Sequence, residues 1–166
     1  DSGIAFCAHP GSHRAAMSVQ AAYLEQADPD AARDQMDWNP EFSRRARGFP
    51  VYAAIRSLGR SGIRTMVELS CERAQQLAAI LGSADGVKIL NEVVLNQVLV
   101  RFGDDDGITQ DTIRRVQEDG TCWLSGTTWQ GRAAMRISVS NWQTSAADVE
   151  SSAAATLAAA AAPAMH

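Results

Sequence analysis

The most regular hydrophobic pattern in the chain runs from Ile63 to Leu81, where apolar residues recur at spacings of three and four positions. This spacing predicts an amphipathic α-helix, and Gly82 is placed to end it. A shorter helix is predicted from Val51 to about Leu58. Gly59 to Gly62 should form the break between the two helices, because glycine weakens a helix interior.

Beyond Gly86, short apolar runs alternate with polar turns and predict the element order β-β-α-β-β-α. Ser145 or Thr144 is a suitable cap for the last helix, with Asp148 at or next to the capping-box position. The order predicts a small α+β layer in which helices pack on one face of an antiparallel sheet. The predicted elements are strands Val87–Leu90 and Val94–Phe102, helix Thr109–Glu118, strands within Thr121–Trp142, and helix Ser145–Ala162.

The segment Thr121–Trp142 carries three of the four tryptophans and divides at two turn signals, Ser125-Gly126 and Gln130-Gly131. In its last run, one parity holds Met135, Ile137 and Val139, whereas the other holds Arg136 among alanine and serine. Arg136 is therefore a candidate for binding an anion, with a solvated sheet face as the alternative.

The first forty residues are less regular. Ile4–Ala8 resembles a buried strand without neighbours, so we expect the chain to be the C-terminal piece of a longer polypeptide. A short helix is predicted to start at a cap-like Ser12 and to run through Arg14 to Met17. The polar segment Ser18–Pro40 is long for a loop, and long loops often carry function. Tyr23 in this segment is a functional candidate, with simple packing as the alternative.

Three arginines, Arg44, Arg45 and Arg47, precede Pro50 at a predicted helix start. They could bind carboxylates across an interface or an anionic ligand. Ordinary surface salt bridges are the alternative.

Composition argues against nucleic-acid-binding, membrane-spanning and metal-binding functions. The net charge is −4, and no basic stripe with interleaved aromatic residues occurs, so no nucleic-acid partner is expected. The longest apolar run, Ala153–Ala162, is too short to span a bilayer, so we expect no membrane and a cytoplasmic location. Pro10 and Gly11 separate His9 from His13, so no metal site is expected.

Cysteine and lysine usage adds two further expectations. Cys7, Cys71 and Cys122 are odd in number and widely spaced, which favours buried thiols over disulfides. Lys88 is the only lysine, and its position at a predicted strand edge facing water makes it a poor candidate for a covalent link to a cofactor.

Several motifs resemble the C-terminal third of group II pyridoxal-phosphate-dependent amino-acid decarboxylases, the family of aromatic amino-acid, histidine and glutamate decarboxylases. These are Trp38-Asn39-Pro40, Ser43-Arg44-Arg45, the strand Val94–Phe102, and Arg136-Ile137-Ser138. The resemblance implies an α/β parent of fold type I. Residues 1–47 would end the large domain and carry an active-site lid, 48–82 would be connecting helices, and 83–166 would form the small α+β domain.

The resemblance also implies roles for individual residues. Tyr23 matches the family's lid tyrosine, the general acid that protonates the substrate Cα after carbon dioxide leaves. Phe42 and Ser43 match the pair that lines the substrate pocket across a homodimer interface. Arg136 matches an arginine that holds the substrate carboxylate in related aminotransferases.

The implied cofactor is pyridoxal 5'-phosphate and the implied substrate an amino acid, which the enzyme would convert to an amine and carbon dioxide. The cofactor lysine would lie upstream of this chain, so the chain alone should be inactive. Two alternatives stay open. The parent could be an aminotransferase or an aldehyde-forming relative, or the α+β half could be a free-standing ligand-binding or interaction module.

Overall fold

The computed structural model of the protein describes residues 3–18, 33–41 and 44–162. The chain forms two compact units, residues 1–57 and 58–166. The first unit contains helix α1 (Pro10–Met17) and a short 3-10 helix (Gln35–Trp38). Helix α1 ends at Met17 as predicted but begins before the predicted cap Ser12, since Pro10 is well suited to the first helical turn.

The expected strand at residues 4–8 is wrong. These residues adopt no regular structure, and the side chains of Ile4 and Phe6 are 75% and 95% exposed. A strand needs a neighbour for its backbone N–H and C=O groups, and no described residue of this unit supplies one. The expectation that Cys7 is buried is also wrong, since its thiol is exposed.

Helix α2 (Gly48–Gly82) joins both predicted helices and is interrupted at Gly59, where φ is 63° and ψ is −174°. Only glycine adopts this backbone conformation without strain, so the predicted break is confirmed at Gly59, whereas residues 60–62 are helical. The helix ends at Gly82, as predicted. Its apolar face is covered only toward the end, where Ala74, Leu77 and Leu81 are buried.

The first part of the predicted amphipathic helix is not buried. Met66, Val67 and Leu69 are 37%, 47% and 39% exposed. Helical periodicity shows which face of a helix is apolar, but it does not show whether another element covers that face.

The second unit contains a four-stranded antiparallel sheet with strand order β1-β2-β4-β3. The strands are β1 (Val87–Ile89), β2 (Gln97–Phe102), β3 (Ser125–Trp129) and β4 (Arg132–Ser138), with helices α3 (Asp106–Asp119) and α4 (Ala146–Ala161). The predicted order β-β-α-β-β-α is therefore confirmed.

Of the two turns predicted between the strands of Thr121–Trp142, one is confirmed and the other is wrong. Gln130 and Gly131 have φ values of 49° and 77° and form the tight β3–β4 turn, as predicted. Ser125 and Gly126 do not form a turn but open β3, opposite Arg136 and Met135 of β4. Strand β2 begins three residues later than predicted, and Val94 lies outside it with its side chain 65% exposed.

The core of the second unit lies between the sheet and its helices. Ser145 caps α4 and forms a capping box with Asp148, as the sequence predicted. Asp105 caps α3, and Gly120 ends that helix in the left-handed conformation. Helices α2, α3 and α4, strands β2 and β4 and their connections contribute to one apolar cluster: Ala74, Leu77, Leu81, Val98, Val100, Phe102, Ile113, Val116, Leu124, Met135, Val139, Val149 and Ala153.

Candidate functional site

Three of the four predicted site residues, Tyr23, Phe42 and Ser43, lie outside the described residues. Their expected roles therefore stay predictions. The fourth, Arg136, lies on β4.

Arg136 lies near the middle of the sheet with its side chain toward solvent. Its neighbours across the ladder are Leu99 of β2 and Ser125 of β3. Residues 136, 138 and 140 are exposed, whereas Met135 and Val139 are buried, as the predicted division into two faces requires. Ala134, which has the same parity as Arg136, is nevertheless buried, so the predicted division fails at that position. Within residues 3–18, 33–41 and 44–162, no hydrogen bond or ion pair involves the Arg136 guanidinium. Its N–H groups can therefore donate to a carboxylate without first losing a partner among these residues.

A second arginine, Arg101 on β2, was not identified as important from the sequence. Its side chain is only 3% exposed. Nη1 donates to Asp106 Oδ1 at 2.6 Å and to the Ala133 carbonyl at 2.8 Å, and Nη2 donates to the Asp104 carbonyl at 2.7 Å. Arg101 thus ties the β2–α3 connection to β4, the strand that carries Arg136. The sequence did contain an indication that Arg101 forms a buried ion pair. Arg101 is a charged residue inside the apolar run Val98–Phe102, and an acidic turn follows that run.

Lys88 lies on β1, at the edge of the sheet, as predicted. Its side chain is 63% exposed, and Nζ lies 3.2 Å from Asp104 Oδ1. The hydrogen bond from Lys88 holds the pKa of the Asp104 carboxyl below its ordinary value. A lysine that binds an aldehyde cofactor needs a desolvated site that lowers its pKa, whereas Lys88 is solvated and next to a carboxylate. The chain's only lysine does not fit the role of cofactor lysine.

The arginine cluster before α2 includes one surface ion pair. Arg44 Nε lies 2.8 Å from Glu41 Oε2, and the two side chains are 46% and 60% exposed. The Arg44 hydrogen bond lowers the pKa of the Glu41 carboxyl. This pair corresponds to the surface salt-bridge alternative that the sequence left open for Arg44.

A compact polar and aromatic cluster joins α1 to the short helix Gln35–Trp38. Both Nε and Nη2 of Arg14 approach Asp37 Oδ2, at 3.0 Å and 2.9 Å. The His13 ring meets the Trp38 ring edge to face with centroids 5.4 Å apart, and Arg33 Cζ lies 3.6 Å from the Trp38 ring centroid. We call these five residues the Trp38 clamp.

A cavity of ≈ 180 Å³ lies in the second unit between β4, the start of α4 and residues 122–124. Cys122 lines it, and burial raises the pKa of this thiol, partly offset by hydrogen bonds with Ser152 and Thr156. A raised pKa lowers the thiolate fraction and therefore the reactivity of the cysteine.

In the described part of the chain, no group of three or more histidine, cysteine or acidic side chains is placed to hold a metal ion. No helix in those residues is long and apolar enough to cross a membrane.

Comparison with known proteins gives a consistent family match. The model of the pyridoxal-dependent decarboxylase conserved domain matches residues 9–102. Histidine decarboxylase of Mus musculus is 26% identical over 132 residues, which cover 80% of this chain and 20% of that protein. The 3,4-dihydroxyphenylacetaldehyde synthase of Drosophila melanogaster is 25% identical over 135 residues, 80% of this chain and 26% of that protein. The chain thus spans about a fifth to a quarter of the length of these curated relatives.

Solved structures agree on the fold. The crystal structure of Oryza sativa TDC with PLP and tryptamine matches with a TM-score of 0.78 and 17% identity, over 89% of this chain and 33% of that chain. Rhodiola rosea 4-hydroxyphenylacetaldehyde synthase matches with a TM-score of 0.69 and 20% identity, over 77% and 29% of the two chains. The predicted fold, part of a fold type I enzyme with a small antiparallel sheet, is confirmed. Because the family model covers more than half of its residues, the chain belongs to the pyridoxal-dependent decarboxylase family.

Proposed function

We propose that this chain is the C-terminal part of a longer amino-acid decarboxylase that releases carbon dioxide and an amine. The observation that carries the proposal is the family match over residues 9–102, which extends through α1 and α2 into β2. A free-standing interaction module would not account for that match. Pyridoxal 5'-phosphate, the cofactor of the family, withdraws the electrons left when a substrate carboxylate departs. The groups that bind it covalently would lie outside this chain, because Lys88 does not fit that role.

The roles of the chain's own residues follow from this proposal. Arg136 would hold the substrate carboxylate or another anionic group, a role supported by its exposed guanidinium, which has no ion-pair partner among the described residues. The phenol of Tyr23 would donate a proton to the substrate Cα after carbon dioxide has left. Phe42 and Ser43 would line the pocket for the substrate side chain. Arg101 would act indirectly, by fixing β4 against the β2–α3 connection.

We further propose the domain roles expected from the sequence. Residues 1–47 would end the large domain and include the lid, 48–82 would connect the domains, and 83–166 would form the small domain. The whole enzyme would be a cytoplasmic homodimer, with the pocket residues 42 and 43 placed across the subunit interface.

A second function has one specific observation in its favour, since a curated relative is named 3,4-dihydroxyphenylacetaldehyde synthase and a similar solved structure is that of a 4-hydroxyphenylacetaldehyde synthase. Such an enzyme would release an aldehyde in place of an amine. Tyr23 supports amine formation, because a phenol can donate the proton that Cα takes up after carbon dioxide has left. An aminotransferase would instead release a keto acid and retain the substrate carboxylate.

The proposal is tested on a polypeptide in which this chain follows a large domain that contains the cofactor lysine. The polypeptide is supplied with pyridoxal phosphate and incubated separately with histidine, tryptophan and glutamate. Carbon dioxide, amine, aldehyde and keto acid are measured in the same samples. The proposal expects equal amounts of carbon dioxide and amine from at least one amino acid. Keto acid without carbon dioxide, or aldehyde as the main product, would overturn it.

A further inference from the structure

The cavity beside Cys122 has a buried apolar wall and an exposed rim, and we call it the Cys122 cavity. Leu77, Leu124 and Val149 belong to its wall and are buried. Trp123 and Asp148 also line it, and both of these residues are exposed. An apolar cavity of about 150 Å³ holds one benzene molecule. With its volume of ≈ 180 Å³, the Cys122 cavity is large enough for a single aromatic ring.

The polar side chains on the inner wall of the cavity already have partners. Thr156 Oγ1 donates to the Ser152 carbonyl at 2.8 Å, and the Cys122 thiol is hydrogen-bonded with the side chains of Ser152 and Thr156. Among the residues that the structure describes, the buried side-chain nitrogen and oxygen atoms without a partner belong to Arg73 and Arg101, and neither residue lines the cavity. An apolar group can therefore enter without leaving a buried donor or acceptor unpaired.

The charge at the rim favours a positively charged ligand. Among the described residues that line the cavity, Asp148 is the only charged one. Ser145 N and Ser145 Oγ donate to Asp148 Oδ2 at 2.8 Å and 2.7 Å, and these hydrogen bonds lower the pKa of the carboxyl. Asp148 is therefore ionised at neutral pH. Its Oδ1 atom accepts no hydrogen bond within the described part of the chain, so this oxygen is open to a donor from a ligand.

The start of α4 does not reverse this preference for a cation. A helix N-terminus carries about +0.5 elementary charge, and the full negative charge of Asp148 in the first turn outweighs it. Asp119 adds a second negative charge near the cavity, since its carboxylate acts electrostatically on the Cys122 thiol. Hydrogen bonds with Thr121 lower the pKa of the Asp119 carboxyl, so this group is also ionised at neutral pH. An anion in the cavity would be repelled by both carboxylates.

The indole of Trp123 offers a second contact for a cation at the rim. Trp123 is 77% exposed, and no ring contact with another described residue occupies it. A cation over the face of an indole is attracted to the ring, and indole is the best of the aromatic side chains in this role. A molecule with an apolar ring and a short charged arm matches the arrangement. Its ring would contact the buried wall, and its ammonium group would lie at the rim with Asp148 and Trp123.

We propose that the Cys122 cavity binds a small organic cation, an apolar ring that carries an ammonium group on a short arm. Ile137 and Val139 line this cavity, and both have the opposite parity to Arg136 along the strand. The site is therefore distinct from the anion-binding role proposed for Arg136. It does not depend on the proposed function, because it is built from the charge and shape of the second unit alone.

The test measures binding to the chain itself with three molecules of similar shape and different charge. They are the cation 2-phenylethylammonium, the neutral alcohol 2-phenylethanol and the anion phenylacetate. Isothermal titration calorimetry at pH 7 gives the Kd and the stoichiometry of each. We expect one ammonium ion to bind per chain, at least about threefold more tightly than the alcohol, and the carboxylate to bind most weakly. This comparison needs no substitution in the protein.

Three variants then locate the bound cation, and circular dichroism verifies that each one is folded. Ser152→Met places a longer side chain in the cavity without changing its charge, Asp148→Asn removes the charge at the rim, and Trp123→Leu removes the indole. Asp85→Asn is the control for the charge, because this exposed aspartate does not line the cavity. Trp142→Leu is the control for the indole, because Trp142 is 73% exposed and also lies outside the lining.

Ser152→Met should abolish binding of the ammonium ion. Asp148→Asn and Trp123→Leu should each weaken it about twofold to fivefold, and Asp148→Asn should also reduce the preference for the ammonium over the alcohol. Both controls should bind as the wild type does. The inference is overturned if the wild type shows no saturable binding of the ammonium ion or binds the alcohol or the carboxylate equally well. Unchanged binding by folded Ser152→Met would overturn it too, because the cation would then lie elsewhere.

Discussion

Arg101 Nη1 lies 2.6 Å from Asp106 Oδ1, so a buried guanidinium on β2 holds the first residue of α3. The same guanidinium also binds the Ala133 carbonyl, while Arg132 Nη2 donates to the Asp104 carbonyl at 2.7 Å. The β2–α3 connection is thus joined to β4 by one arginine on β2 and by a second arginine on β4. Arg136 lies on β4, the strand that this network contacts at Ala133 and Arg132.

We predict that Arg101→Met lowers the free energy of unfolding by about 1–3 kcal/mol, the usual loss when hydrogen bonds to a charged group are removed. The loss should not be larger, because Asp106 is 47% exposed and stays hydrated without its partner. Urea unfolding of the chain measures the effect. Lys88→Met is the control, because its ion pair is 63% and 87% exposed. Equal stability of the Arg101→Met variant and the wild type would contradict the structural role of Arg101.

We also predict that the second unit loses stability in acid. The hydrogen bond from Arg101 lowers the pKa of the Asp106 carboxyl, and hydrogen bonds from Ser145 lower the pKa of Asp148. A carboxyl with a lower pKa in the folded state stabilises the fold above its unfolded pKa, about 3.9 for aspartate. This stabilisation is lost as the pH falls through the folded pKa.

The measurement for this prediction is the urea midpoint at pH 7 and at pH 3. Asp106→Asn and Asp148→Asn should each reduce the difference between the two midpoints. Asp85→Asn, a change at an exposed aspartate, should leave the difference as it is in the wild type. A wild-type midpoint that does not fall in acid would rule out these carboxylates as contributors to stability.

Most of the second unit could be predicted from sequence because its signals are local. The capping box of Ser145 and Asp148 lies within four residues, and the Gln130-Gly131 turn lies within two. The burial of Arg101 could not be predicted in the same way, since one of its partners is a carbonyl on β4, 32 residues later. The Trp38 clamp likewise joins residues more than twenty positions apart.

The predictions that Ile4–Ala8 is a buried strand and that Met66 lies on a buried helix face are wrong for the same reason. An apolar pattern shows that a surface can be buried, whereas burial itself requires a covering element that the pattern does not specify. Of the candidate site, sequence reasoning correctly placed Arg136 on a strand face opposite the core. Its freedom from ion pairs in the described part of the chain became visible only with the sheet register and the contacts of its neighbours.

We predict that the chain alone forms no lysine adduct with pyridoxal phosphate, because Lys88 is solvated and paired with Asp104. The experiment mixes chain and cofactor in equal amounts, reduces any imine with borohydride, and measures the protein mass. Lys88→Ala distinguishes lysine labelling from labelling elsewhere. A stoichiometric adduct that disappears in Lys88→Ala would contradict the prediction.

We predict that the longer polypeptide is a dimer, because the proposed pocket residues Phe42 and Ser43 would act across a subunit interface. Light scattering over a range of protein concentrations gives the mass, and activity is measured in the same samples. A monomer that retains full activity would refute the proposed interface. A loss of activity on dilution, together with dissociation, is the expected result.

The most direct test of the proposed function is the product of the Tyr23→Phe variant, measured in the longer polypeptide under air. Removing the phenol keeps the ring but removes the proton donor, so amine release should slow about 10²–10⁴-fold while cofactor binding is unchanged. Without that proton, the carbanion left by decarboxylation should persist long enough to react with oxygen. The account predicts aldehyde and ammonia from Tyr23→Phe where the wild type gives amine. Unchanged amine output from this variant would contradict the account and reduce Tyr23 to a packing residue.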